Sequence, residues 1–222
     1  MPIQAVSTVG LEVFDRADST EEFQAMFSVR GKALYTKMDF LFKMIGEILN
    51  SSKLEDTKRL YEIIASVKSR AQVNLTGAGH STAVLRAAAY SSPMAAFQDE
   101  MAGIGYYQFI EKLEKDFEQR KEETVEELCK LMKKILRPEN FMISYTGERE
   151  SLETVQKLAG AVKAGLGTEP VEKSKEKLTC TKKNEGFKTS GQVQYVAQTG
   201  NFKKKGLGIY RCTGNSEGYL KL

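Results

Sequence analysis

Two runs of alternating residues open the chain, and helical stripes dominate the rest of it. In VGLEVF, Val9, Leu11 and Val13 alternate with Gly10 and Glu12. After the polar stretch DRADST, the run EEFQAMFSVRG sets Phe23, Ala25, Phe27 and Val29 on one face, opposite Gln24, Ser28 and Arg30. Two period-two runs around a polar turn predict an antiparallel hairpin with one buried face. Leu34, Met38, Leu41, Ile45 and Ile48 then recur at helical spacing. Strand signals followed by helix signals argue for an α+β fold, helices layered on a largely antiparallel sheet, because each apolar face must be covered by another element.

The helices can be placed by their punctuation. Ser52 and Glu55 have capping-box spacing and would open a second helix carrying Leu60, Ile64, Val67 and Ala71. NLTGAGHS interrupts it, TAVLRAAAYSS is alanine-rich as expected where helices pack closely, and Ser92-Pro93 supplies a cap and an N1 proline for MAAFQDEM. The long stretch from Tyr106 to Leu136 divides in two: the apolar face of Ile110, Leu113 and Phe117 lapses over Gln119 to Glu123, and Thr124 to Glu127 offers a new capping box. Arg137-Pro138-Glu139-Asn140 ends that helix, FMISYTG reads as a strand, and Ser151 would cap a last helix closed by Gly165 and Gly167. Residues 168–190 are charged and aperiodic and read as a linker or solvated loop. GQVQYVAQ, within 191–207, reads as a new strand. Three strands are few for so many helices, so partner strands are expected from outside the chain.

Composition excludes several functions. The chain has 222 residues, with 33 basic and 29 acidic side chains well interspersed. It lacks the strong basic stripe of a nucleic-acid binder, since Lys203 to Lys205 is short. Three widely spaced cysteines, Cys129, Cys180 and Cys212, form neither a disulfide framework nor a CxxC metal pair, which favours a reducing, cytoplasmic setting. No apolar run reaches the roughly 18 residues of a membrane span.

No constellation for catalysis stands out. The single histidine, His80, could be a general base or metal ligand, but a metal site needs several ligands, and a loop histidine at a helix start is the better reading. GAGH matches neither GxGxxG nor a P-loop and is read as a turn, leaving little support for nucleotide binding. Ser81, Ser91 and Ser92 have no identifiable triad partners. Glu122, Glu123, Glu126 and Glu127 fit a solvated helix face, and Tyr106 and Tyr107 fit core or groove positions. Catalytic, cofactor-binding and metal-ligating residues are therefore expected to be absent.

The succession of SVRGKALYTKMDFLFKMIGEIL, SRAQVNLTGAGHSTAVLRAAAYSSPMAAFQDEMAGIGYYQFIEKL and NFMISYTGERESLETVQK resembles the third, non-catalytic domain of presequence-protease-type zinc metallopeptidases, of the insulinase and pitrilysin superfamily. The resemblance covers roughly residues 3–207. It implies a parent protein of four related α+β domains arranged as a clamshell, with an H-x-x-E-H zinc helix in the first. One histidine cannot supply that motif here. The resemblance thus implies a bacterial peptidase segment with no zinc of its own, partnered by the remaining domains of the parent, with peptide as substrate only in the intact enzyme. A free-standing interaction module of the same fold is the alternative. The resemblance also implies an incomplete domain over 1–167, starting after the family's own first strand and helix, and makes 191–207 the first strand of the following, fourth domain. An unpaired sheet edge would then invite self-association.

The ending, GIYRCTGNSEGYLKL, lacks any period. Back-translated with one permitted set of codons and shifted by one base, it reads E-Y-T-G-A-L-G-I-L-K-V-I-L-S, which resembles the amphipathic helix that the family places there. Residues 208–222 are accordingly expected to be an out-of-frame tail, a vector-encoded tail being the alternative. The DNA around codon 208 decides between them.

Overall fold

The computed structural model describes residues 5–16, 19, 21–171, 178, 180–189, 192–201, 209–210 and 219–220. Its strands and helices run β1 (Ala5–Asp15), β2 (Phe23–Ala33), α1 (Met38–Asn50), α2 (Thr57–Gly77), α3 (Gly79–Ala89), α4 (Pro93–Ala102), α5 (Ile104–Lys115), α6 (Phe117–Ile135), α7 (Leu152–Ala164), β3 (Ile209–Tyr210) and β4 (Tyr219–Leu220). Strands β1 and β2 pair as an antiparallel two-stranded sheet. With seven α-helices among the described residues, the fold is α+β, as the segregated patterns require.

The chain divides into two units. The first comprises Met1–Glu12, Met26–Tyr61 and Asp116–Ser174, and the second Val13–Ala25, Glu62–Lys115 and Lys175–Leu222. In the first unit, α1 packs against α7. Met38 and Leu41 of α1 meet Val155 of α7, with Ala33, Ile45, Tyr145 and Leu158 around them. The helical stripe of α1 is therefore its buried face. Leu34 falls outside it: a 3₁₀ turn at Tyr35–Lys37 precedes the helix, and Leu34 stays exposed. In the second unit, α3, α4 and α5 pack in succession. Lys68 of α2 pairs with Glu114 of α5, and Phe23 at the start of β2 meets Phe97 of α4 with ring centroids 5.2 Å apart.

The hairpin forms where the alternation placed it, but its inner face is incompletely covered. Val9 and Leu11 are 52% and 51% exposed, while Met26 and Ser28 on the other face of β2 are half-buried. Polar pairing tightens that second face: Ser28 Oγ donates to the Gly10 carbonyl at 3.4 Å, and Arg30 pairs with Glu12.

Helix boundaries departed from expectation where a cap could be drawn in more than one place. Asp56, not Ser52, starts α2: its Oδ1 accepts from Arg59 N at 3.0 Å. Ser52 instead donates to the Ile48 carbonyl at 2.7 Å, at the end of α1. The division between α5 and α6 exists but falls at Asp116, upstream of the lapse in the apolar face. Phe117, at the first position of α6, is fully buried, so the turn serves to seat that ring. Thr124 lies within α6 and donates to the Arg120 carbonyl at 2.8 Å. Ser151 closes a 3₁₀ turn, Arg149–Ser151, and donates to the Glu148 carbonyl at 2.7 Å instead of capping α7. Ser92 does cap α4, accepting from Ala95 N at 3.4 Å with Pro93 in the first turn. Asn140 Nδ2 closes α6 by donating to the Lys134 and Ile135 carbonyls, both at 3.4 Å.

Two stretches expected to be strands carry no strand structure. In 141–146, Met142 and Ile143 are exposed, while Tyr145 turns inward against the α1–α7 core and bonds Ser151. In 192–198, Val193 and Val196 are exposed. An extended run becomes a ladder only beside another edge, and no neighbouring strand pairs with either among the described residues. At the end of the chain β3 pairs antiparallel with β4, Ile209 opposite Leu220 and Tyr210 opposite Tyr219. The rest of 208–222, and with it the out-of-frame reading, lies outside the described residues. So do Lys173, Lys175 and Lys177 of the expected linker.

Candidate functional site

The densest polar cluster lies in the second unit, on α3 to α5. Asp99 of α4 is 1% exposed. Its carboxylate accepts three hydrogen bonds: from Arg86 Nη1 at 2.6 Å, from Ile104 N at 3.1 Å and from Gly105 N at 3.1 Å. The last two belong to the first turn of α5, whose amides lack intrahelical partners and whose dipole favours an anion there. Glycine permits the approach. A Cβ on Gly103 would fall 2.2 Å from Asp99 Oδ1 and 2.9 Å from its Cα, and one on Gly105 would fall 2.8 Å from Oδ2. The sequence GIG after α4 is thus a fitted cradle for Asp99.

Asp99 in turn orients Arg86. The guanidinium bonds Asp99 on one side and reaches Glu185 on the other, with Nε and Nη2 both 3.0 Å from its Oε2. Tyr90 OH also donates to Glu185. The Arg86 guanidinium lies 5.4 Å from the Tyr90 ring centre and 5.7 Å from that of Phe187, within cation–π range. Burial opposes the Arg86 charge, but hydrogen bonds to Glu185 and Asp99 outweigh it and hold its pKa above the ordinary arginine value. Tyr90, followed by Arg86, holds the Glu185 carboxyl below the usual carboxylate range.

Residues 180–201, where described, run without regular structure and are fastened to the helices at further points. Tyr195 packs on α3, where a Cβ on Gly79 would fall 2.5 Å from its ring, and its ring centre is 6.1 Å from that of His80. Asn201 Nδ2 donates to the Ser91 carbonyl at 3.2 Å. Between these fastenings an open groove of about 2250 Å³ remains, with Thr76, Arg86, Tyr107 and Gln108 on its helical side.

The structure separates the residues singled out in the sequence. His80 is exposed in the first turn of α3 beside Tyr195, and GAGH is the junction of α2 and α3 at Ala78. Ser91 donates to the Ala88 carbonyl at 3.1 Å, Ser92 is a cap and Ser81 is exposed. Glu123, Glu126 and Glu127 sit on an exposed face of α6, paired with Arg120 or Lys130, and such exposed pairs contribute little stability. Tyr107 donates to Glu111 at 2.8 Å. Among the described residues no group of three His, Cys, Asp or Glu side chains could hold a metal ion. With His80 the chain's single histidine, the residues do not fit the zinc centre of the family it resembles. Among the described residues no helix is long and apolar enough to cross a membrane.

Sequence reasoning missed Arg86, Asp99 and Glu185. The available signal was an aspartate four residues after Ala95 on the buried side of α4, followed by GIG.

Residues 8–113 match the family described as Peptidase M16-C associated. This likeness supports a non-catalytic segment of a peptidase of this kind. It is 30% identical over 213 residues to Protein HypA of Clostridium perfringens, covering 94% of this chain and 21% of that protein. It is 25% identical over 206 residues to Presequence protease 1, chloroplastic/mitochondrial, of Arabidopsis thaliana, covering 90% and 19%. Over 97 residues it is 29% identical to the mitochondrial presequence protease of Yarrowia lipolytica. The chain spans about a fifth of the length of the first two relatives. Arg86, Tyr90 and Asp99 lie within the peptidase-associated segment, whereas Glu185 and Phe187 lie beyond it.

The peptidase-associated segment should keep its hold on residue 185 only while that carboxyl is ionised. The folded pKa of Glu185 is depressed, so its contribution is full above the ordinary value of 4.5 and is lost as pH falls through the lower, folded value. In an NMR titration, cross-peaks between Phe187 and Arg86 should hold from neutral pH down to the ordinary carboxylate range and weaken below it, while α4 signals persist. Undiminished cross-peaks with Glu185 protonated would show that the apolar contact alone holds the segment.

Proposed function

We propose that the chain is a non-catalytic segment from the C-terminal half of a zinc-dependent oligopeptidase and forms part of the wall of its peptide-degradation chamber. The observation that carries this reading is the peptidase-associated match together with relatives of which the chain spans a fifth or less, two of them being named presequence proteases. Zinc and the water it activates would come from other domains of the parent. The remaining domains of that protein are the partners this reading requires. The bacterial relative supports a bacterial, cytoplasmic setting.

On this reading the purified chain holds no stoichiometric zinc after dialysis and does not cleave a fluorogenic peptide. Co-expressed with the zinc-bearing half of the parent, it co-purifies with that half and restores turnover. Stoichiometric zinc in the chain alone, with turnover that a chelator abolishes, would overturn the proposal. Alone, the chain is also expected to self-associate. The exposed Val9, Leu11 and Phe14 on a two-stranded sheet support that expectation, because open strand edges recruit other chains. Light scattering over a concentration series reads it, and a strict monomer at high concentration speaks against it.

A further inference from the structure

We propose that α3, α4 and α5 form a receptor site for an extended peptide carrying an acidic residue two places before an aromatic one, and that the chain's own Glu185-Gly186-Phe187 occupies it in this structure. The receptor side is built independently of its occupant. Arg86 is fixed by the buried Asp99, which the α5 amides fix in turn. That leaves Nε and Nη2 directed at the Glu185 carboxylate, with Tyr90 OH converging on it. A positioned guanidinium recognises a carboxylate by charge-assisted bonds that a neutral isostere makes only weakly. Phe187 stands over the same guanidinium, 5.7 Å from ring centre to Arg86 Cζ.

The occupant is held at points rather than along its length. Residues 181–189 are exposed and without regular structure, Val196 is 96% exposed, and a groove of about 2250 Å³ stays open between the segment and the helices. A segment with few fixed contacts opens at low cost, so a second peptide of the same pattern can take its place. The site is complete within the second unit and does not depend on the chamber-wall role.

The test uses the full chain with Glu185→Ala and Phe187→Ala, which remove the resident anchors and leave the receptor side chains untouched. The probe is a fluorescein-labelled peptide with the sequence of residues 181–189, TKKNEGFKT, read by anisotropy. The opened variant is expected to bind it saturably and at least about tenfold more tightly than the unaltered chain, where the tethered segment competes at high effective concentration. Peptides with glutamine for the glutamate, or alanine for the phenylalanine, should each bind about tenfold more weakly. Because these changes lie in the peptide, no folding defect can imitate them. Equal binding of all three peptides, equal binding to both proteins, or no saturable binding to the opened variant would each overturn the proposal. None of those results bears on zinc content or on co-purification with the zinc-bearing half, so the two readings fail separately.

Discussion

Asp99→Ala is expected to lower the unfolding free energy by about 3–5 kcal/mol, as does removal of one partner from a buried ion pair. The magnitude comes from what is left behind. Arg86, 20% exposed at its side chain, would lose its 2.6 Å partner and keep Glu185 and the Tyr90 hydroxyl. The amides of Ile104 and Gly105 would lose their acceptor at the start of α5, and each buried unsatisfied donor costs about 1–3 kcal/mol. Burying the carboxylate has its own desolvation cost, which alanine relieves, and this keeps the net below the sum of the parts. Asp99→Asn is the informative intermediate: with its amide oxygen in the Oδ2 place it still accepts from Arg86 and Gly105, while its NH2 would face the Ile104 amide. Urea denaturation measures both against Glu100→Ala, an exposed neighbour expected to change stability by no more than about 0.5 kcal/mol. A loss no larger than that control would refute the account of the cluster.

Phe117→Ala should cost a similar amount, about 3–5 kcal/mol, through a different mechanism. Phe117 is 1% exposed and opens α6 with its ring tilted 42° to that of Tyr61, centroids 5.5 Å apart. Truncation removes the transfer free energy of the ring and leaves a cavity that two helices can fill only by moving. Phe117→Leu keeps most of the volume and should lose only roughly 1–2 kcal/mol. Combining Phe117→Ala with Tyr61→Ala should show a coupling of about 0.5–1.5 kcal/mol, the aromatic contribution beyond burial. Full additivity would mean that the two rings do not interact, and a loss below about 1 kcal/mol for Phe117→Ala would mean that the site collapses freely.

The two positions differ in how far the sequence announces them. Phe117 continues the stripe of Ile110 and Leu113 and was legible as an apolar helical residue. That the turn falls immediately before it was not, because Asp116 has no side-chain capping bond to mark the break and Thr124 presents a more conventional cap. Ser92-Pro93 could be placed from sequence since cap and proline act within one turn. Ser52 and Ser151 misled because a hydroxyl can donate backward to a carbonyl as well as accept forward from an amide, and its neighbours choose.

By itself, the sequence determined the succession of helices, the α+β class, the opening hairpin, the buried stripe of α1 and the lack of a zinc-binding motif. All of these follow from periodicity and residue count, which are local properties. Only the tertiary structure decided that Met142, Ile143, Val193 and Val196 would join no ladder among the described residues, because a strand exists only beside another edge. It also decided that Arg86, Asp99 and Glu185, separated in sequence by 13 and 99 residues from Arg86, would meet. No period encodes a carboxylate's burial. That depends on a guanidinium and two α5 amides converging on one point, and on two glycines leaving the room for it.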